Sequence, residues 1–190
     1  LAIPKKPPIK KIGLVSGSAH EFKKIAEEYS SPAAIGHVRY STIGKSNIEN
    51  AQPLKVKDLC VAHNGTISNV EELSNLVGGC TFTPQSSSDT LVAAQRLVSL
   101  ISENGKLGKA LSVLKNEMIG SYCFTFLSDD NSVYAARDPK GFRPMVLGHK
   151  EENDTYIVAS ESSALSAIGA KLQRDVKRSE ERRVGKECRS

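Results

Sequence analysis

Three short polar clusters carry side chains able to grip and activate an amino acid. In Gly36-His37-Val38-Arg39-Tyr40-Ser41-Thr42, the planar guanidinium of Arg39 can take a carboxylate through two parallel hydrogen bonds, or serve a structural ion pair. His37 reads as a satisfied, half-buried histidine. In Ala62-His63-Asn64-Gly65-Thr66, Asn-Gly is first a turn signal, because both residues tolerate positive φ. The same pair can form an oxyanion hole, the Asn64 amide and the Gly65 N–H meeting one oxygen where no Cβ blocks the approach. In Ser86-Ser87-Ser88-Asp89-Thr90, Asp89 suits the first turn of a helix and equally suits an ammonium group. Taken together, a carboxylate grip, an oxyanion hole and an ammonium partner describe a pocket for an α-amino acid whose side-chain carbonyl is attacked.

The elements that must hold these clusters can be read from periodicity. Lys5 to Lys11, with two prolines and four lysines, is an extended entry or loop. Ile12–Ser16 reads as a short strand. The Ser18–Glu21 spacing is that of a capping box, with Phe22, Ile25, Ala26 and Tyr29 on one face of a helix over about 19–29. Ala33 to Tyr40 is strand-like, and Leu54 to Ala62 is a second strand stopping at His63-Asn64-Gly65. Ser68–Glu71 repeats the capping-box spacing before a helix stopped by Gly78-Gly79. Ser86–Ser88 leads into a helix with the stripe Leu91, Ala94, Val98 and Ile101, and Leu107, Ala110, Leu111 and Leu114 mark another. From Gly120 the period becomes two: 121–127, 132–137, 144–149 and 155–160 are short strands separated by turns. Several are apolar on both faces, so layers must cover both sides of the sheet, and the fold class is a layered α+β sandwich.

Charge narrows the possible partners. The net +5 of 190 residues is held at the ends: four lysines and no acid in residues 1–11, five basic against three acidic residues in 178–190. The intervening 166 residues hold 17 basic and 18 acidic side chains. A nucleic-acid or anionic-membrane binder needs basic charge on a folded face, so neither partner is expected. No apolar run approaches the roughly 20 residues of a membrane span, and a cytoplasmic location is expected. Cys60, Cys80, Cys123 and Cys188 lack C-x-x-C spacing and read as buried reduced thiols, not metal ligands or disulfides.

The chain resembles the class II glutamine amidotransferase family, which has an N-terminal-nucleophile hydrolase fold. The resemblance runs from Gly13-Leu-Val-Ser16 to about Val176. It is carried by Ile35-Gly-His-Val-Arg-Tyr40, Asn50-Ala-Gln-Pro53, Ala62-His-Asn-Gly65, Ser88-Asp89, Arg137-Asp-Pro-Lys-Gly-Phe-Arg-Pro144 and Val158-Ala-Ser-Glu-Ser162. His-Val-Arg-Tyr and Arg-Asp-Pro-x-Gly-x-Arg-Pro favour the branch that delivers ammonia to phosphoribosyl pyrophosphate in purine synthesis. What the resemblance implies is a four-layer αββα sandwich in which Arg39 and Thr42 hold the glutamine carboxylate end and Asp89 its α-ammonium. Asn64 and Gly65 form the oxyanion hole, each donor worth roughly 2.7–4 kcal/mol of barrier. Arg137, Asp138 and Arg143 are assigned a structural ion-pair role. A cysteine thiolate at the family's N-terminus attacks the amide, ammonia leaves a thioester, and water releases glutamate. The ammonia then displaces pyrophosphate to give 5-phosphoribosylamine. Another class II amidotransferase, of the glucosamine-phosphate synthase type, and a non-catalytic glutaminase-like module stay open as alternatives.

The family pattern opens with Cys-Gly-x-x-Gly, which this sequence does not contain, and none of its four cysteines matches the nucleophile. The chain therefore reads as an internal fragment, residues 1–177 being a partial glutaminase domain incomplete at its N-terminal edge and inactive alone. No cofactor or metal site is expected in it. Mg²⁺ is expected in a phosphoribosyltransferase domain of the parent, which is expected to be a homo-oligomer; an iron–sulfur cluster in the parent is left open. The family usually continues after Val176 with a Pro-Gly-Glu turn, whereas Arg178–Ser190 resembles the translation of a sequencing-library adapter, and is expected to lie outside the native sequence.

Overall fold

The computed structural model describes residues 1–11, 19–28, 31–38, 48–77, 88–178 and 180–184. The expected strand at 12–16, Ser18 of the first capping box, Gly78-Gly79, Ser86 and Ser87 lie outside these residues, as do Arg39, Thr42, Cys80 and Cys188. One antiparallel sheet has the order β1-β2-β3-β4-β8, with β1 Leu54–Val56, β2 Leu59–Ile67, β3 Gly120–Ser128, β4 Val133–Arg137 and β8 Glu181–Arg183. A second, β6-β5-β7, is built from β5 Val146–Lys150, β6 Thr155–Ala159 and β7 Lys171–Asp175. The helices are α1 Ala19–Glu28, α2 Val70–Leu76, α3 Asp89–Asn104, α4 Leu107–Glu117 and α5 Ser162–Ala167.

Alternation along β2 and β3 creates the layers. Leu59 and Val61 of β2, with Tyr122, Phe124 and Phe126 of β3, pack against Leu97, Leu100, Ala110, Leu111 and Leu114 of α3 and α4. Phe124 and Phe126 stack at 5.2 Å. On the opposite face, Cys123 and Ala135 meet Met145, Leu147 and Val176, joining the two sheets. Cys60, Ala62 and Leu127 are covered there by Ala2 and Ile35. The outer face of the second sheet carries α5, whose buried Leu165 packs on Val146 and Ala170. A Cβ on Gly148 would lie 2.7 Å from the Leu165 methyls, so a glycine in β5 lets α5 approach. The expected αββα layering is present. Each fully buried leucine contributes roughly 1.5–3 kcal/mol relative to exposure.

Several expectations change. The strand at 33–40 is reduced, within the described residues, to a single Ala2–Ile35 bridge: Pro4 has no N–H to extend it, and Lys5 at φ 60° turns the chain away. The segment 54–62 is a hairpin whose second strand runs on through His63, Asn64 and Gly65 to Ile67, so Asn-Gly is not a turn. The Ser68–Glu71 box is not made. Ser68 Oγ instead donates to the Ile119 carbonyl, while Asn69 Oδ1 accepts the Ile119 N–H and Asn69 Nδ2 donates to the Glu117 carbonyl, tying α2 to the end of α4. In α3 the deepest positions are Ala93, Ala94, Leu97 and Leu100; Leu91, Val98 and Ile101 lie only partly buried at the margins. Elements α5, β7 and β8 were not expected.

The Arg137–Pro144 segment is structural, but through backbone contacts and not an ion pair. Asp138 is fully buried and accepts N–H groups of Lys140, Gly141 and Phe142 at 2.9, 2.7 and 3.2 Å. Arg137 donates to the carbonyls of Arg143, Gly141 and Val176 at 2.8, 3.1 and 2.7 Å. The two side chains thus hold one loop from opposite sides.

Candidate active site

The second half of β2 and the first residues of α3 bound a cleft of about 340 Å³, completed by His37, Val38, Asn50 and Gln52. Asn64, Gly65 and Asp89 all line it. The structure therefore brings three of the five sequence-assigned residues to one cavity; Arg39 and Thr42 lie outside the described residues.

Strand alternation sends neighbouring side chains of β2 to different partners. His63 turns toward α3: its ring stacks on Phe124 at 4.4 Å and its Nδ1 lies 3.1 Å from Thr90 Oγ1. Asn64 turns the other way, with Oδ1 2.9 Å from His37 Nε2, and Nδ2 donating to Ser160 Oγ at 3.1 Å. Gly65 has φ 140°, and a Cβ there would sit 2.0 Å from the Ser121 carbonyl oxygen. Only glycine fits, and the main chain at this wall is consequently bare of any side chain.

Asp89 stands at the start of α3. Its Oδ1 accepts the Thr90 N–H at 2.8 Å and its Oδ2 the Ile67 N–H at 3.0 Å, joining the helix start to the end of β2. Ser88, at the N-cap position, makes no side-chain capping bond, so the carboxylate supplies the negative group that the helix terminus favours. These structural bonds leave Asp89 acceptor positions that a ligand could use, because a carboxylate has about four of them.

Behind Asp89 lies a polar network that sequence reasoning left unassigned. Gln52 Oε1 accepts the His63 backbone N–H at 2.6 Å, and Gln52 Nε2 donates to Thr90 Oγ1 at 3.2 Å. Burial pushes the His63 imidazole below its ordinary pKa, opposed by the Asp89 carboxylate, 3.8 Å from Nδ1. The available signal was a histidine inside an otherwise apolar strand. Ser160 lies in the Val158–Ser162 segment that carries the family resemblance, but its partner is 96 residues away and local pattern gave no sign of the pairing. Among the described residues no three His, Cys, Asp or Glu side chains converge as a metal site.

A family model described as the glutamine amidotransferase domain matches residues 37–167. The amidophosphoribosyltransferase of Archaeoglobus fulgidus is 42% identical over 156 residues, covering 79% of this chain and 33% of that protein. That of Mycobacterium leprae is 35% identical over 179 residues, covering 88% and 31%. Among solved structures, glutamine phosphoribosylpyrophosphate amidotransferase from B. subtilis, complexed with ADP and GMP, superposes with a TM-score of 0.66 at 31% identity, over 80% of this chain and 32% of that one. The chain spans about a third of the length of these relatives.

Proposed function

Because the chain belongs to the glutamine amidotransferase domain family, we propose that it forms the glutamine-hydrolysing part of an amidophosphoribosyltransferase acting in purine synthesis. The observation that carries this reading is the convergence of Asn64, Gly65 and Asp89 on one cleft from β2 and α3. In it, Asp89 takes the α-ammonium of glutamine and Arg39 and Thr42 take its carboxylate end. The side-chain carbonyl then lies toward Asn64 and Gly65. A cysteine thiolate, which the family carries at its N-terminus, attacks the amide carbon and places negative charge on the oxygen, where the Asn64 amide and Gly65 N–H stabilise it. Collapse breaks the carbon–nitrogen bond, the nitrogen takes the proton that the cysteine's own α-amine removed from the thiol and leaves as ammonia, and water then cleaves the thioester to glutamate and frees the thiol.

The ammonia is consumed at phosphoribosyl pyrophosphate in a phosphoribosyltransferase domain, giving 5-phosphoribosylamine and pyrophosphate, with Mg²⁺ assigned to that domain. The working enzyme is a cytoplasmic homo-oligomer in this reading; among the described residues no helix is long and apolar enough to cross a membrane. The thiolate is supplied from outside these 190 residues, so they are inactive alone. In the full-length enzyme, Asp89→Asn is expected to raise the glutamine KM at least tenfold while synthesis from added ammonia continues at its normal rate. Equal loss of both activities would show that Asp89 serves only the helix terminus.

A further inference from the structure

We propose that His37 and Ser160 are positioning residues that hold the Asn64 side-chain amide in one orientation, with one N–H committed to the protein and the other presented to the cleft. This rests on the oxyanion role given to Asn64 under the proposed function. An asparagine amide is planar and two-sided: rotation by half a turn exchanges its carbonyl for its NH₂, and only the NH₂ can stabilise an anion. Nothing in β2 itself selects between these states, because Asn64 is an exposed side chain.

The selection comes from two distant parts of the chain. His37 Nε2 lies 2.9 Å from Asn64 Oδ1, and Asn64 Nδ2 lies 3.1 Å from Ser160 Oγ. With the proton on Nε2 the imidazole donates to the amide oxygen, as it also does when doubly protonated. One Nδ2 hydrogen goes to the serine oxygen, and no described residue accepts the other. The carbonyl and one N–H are thus both occupied, and turning the amide over would set the imidazole N–H against an NH₂. His37 precedes the Arg39 segment and Ser160 follows β6, so the clamp ties the candidate oxyanion donor to the second sheet as well as to the chain that enters the glutamine site.

A purely structural role makes a different forecast. Hydrogen bonds between solvent-exposed neutral side chains contribute little to folding, so their loss should hardly change the unfolding temperature. Preorganisation of an oxyanion donor acts on the transition state instead, and loosening it lowers kcat more than it changes KM.

The test is a kinetic double-mutant cycle in the full-length enzyme, using His37→Ala, Ser160→Ala, Asn64→Ala and the His37→Ala/Asn64→Ala pair. Glutamine-dependent kcat and KM, ammonia-dependent synthesis and the unfolding temperature are read for each. His37→Ala is expected to lower glutamine-dependent kcat roughly tenfold, a fraction of the 10²–10³ associated with losing a whole donor. KM should stay within twofold and ammonia-dependent synthesis unchanged. Ser160→Ala should show the same split, and, as a change at an exposed side chain, carries the test if His37→Ala does not fold. In the Asn64→Ala background, His37→Ala should add less than twofold, since there is no amide left to orient. Full additivity, or intact kcat in both single variants while Asn64→Ala is impaired, overturns the clamp and leaves the oxyanion assignment standing. Intact glutamine turnover in Asn64→Ala overturns that assignment and the clamp together.

Discussion

His63 and Asn64 are sequence neighbours on opposite faces of β2, and each face gives its side chain a different task. His63 is buried against Phe124 and the start of α3, and burial depresses its pKa, with Asp89 pulling the other way. The unfolded chain therefore binds a proton in a range where the folded chain does not. The stability linked to His63 is complete above its unfolded pKa of about 6.5 and is lost as pH falls from there toward the folded value. Urea unfolding of the chain at pH 7.5 and 5.5 is expected to show a smaller loss of stability in His63→Gln than in the parent sequence; identical losses would contradict the assignment. At this scale residue type marked Asn64, Gly65 and Asp89 as candidates, and the structure gathers them at one cleft, but their setting was not legible. Asn-Gly reads as a turn from local propensity, whereas pairing with β3 keeps it inside a strand, with Gly65 demanded by the Ser121 carbonyl. Gln52, Thr90 and Ser160 gained their roles only through long-range contacts.

The loop between β4 and β5 shows an element held by side chains instead of its own ladder. Asp138 binds its N–H groups from one side and Arg137 its carbonyls from the other. Removing the Asp138 carboxylate leaves several backbone N–H groups without acceptors, each costing roughly 1–3 kcal/mol if it stays dry. Asp138→Ala is expected to lower the unfolding free energy by at least about 3 kcal/mol in denaturant titration; a change below 1 kcal/mol would show that the loop rebinds elsewhere. Strands β3 to β6 were legible because their alternation and turns are strong. Element α5 was missed because six residues give little periodicity, and β7 because it is an edge strand with four of its five residues exposed, which leaves no apolar alternation. The α3 stripe was only partly legible because the helix packs against α2 and α4 as well as β1 and β2, so its buried surface is wider than one row.

At the scale of the whole molecule, two sheets and two helical layers put the cleft where β2 ends against α3. The basic ends behave differently from each other. Ala2, near the N-terminal end, covers one sheet face together with Ile35, while Glu181–Arg183 pairs with β4 and Glu180 meets Arg174 at 2.8 Å. An open sheet edge accepts almost any extended segment, so that pairing is compatible with a foreign origin for Arg178–Ser190. Reading the coding DNA checks the adapter proposal: adapter-like bases are expected after the Lys177 codon, and continuous genomic sequence through Ser190 contradicts it. The layered class was legible from strands apolar on both faces, and the two-sheet αββα arrangement from the family resemblance; the strand order within each sheet was not, because it depends on which strands pair. The central claim, that this cleft activates glutamine by stabilising an oxyanion, is tested most directly by the ratio of glutamine-dependent to ammonia-dependent synthesis in full-length Asn64→Ala. A fall of 10²- to 10³-fold in that ratio, carried by kcat, is expected; an unchanged ratio would contradict the claim.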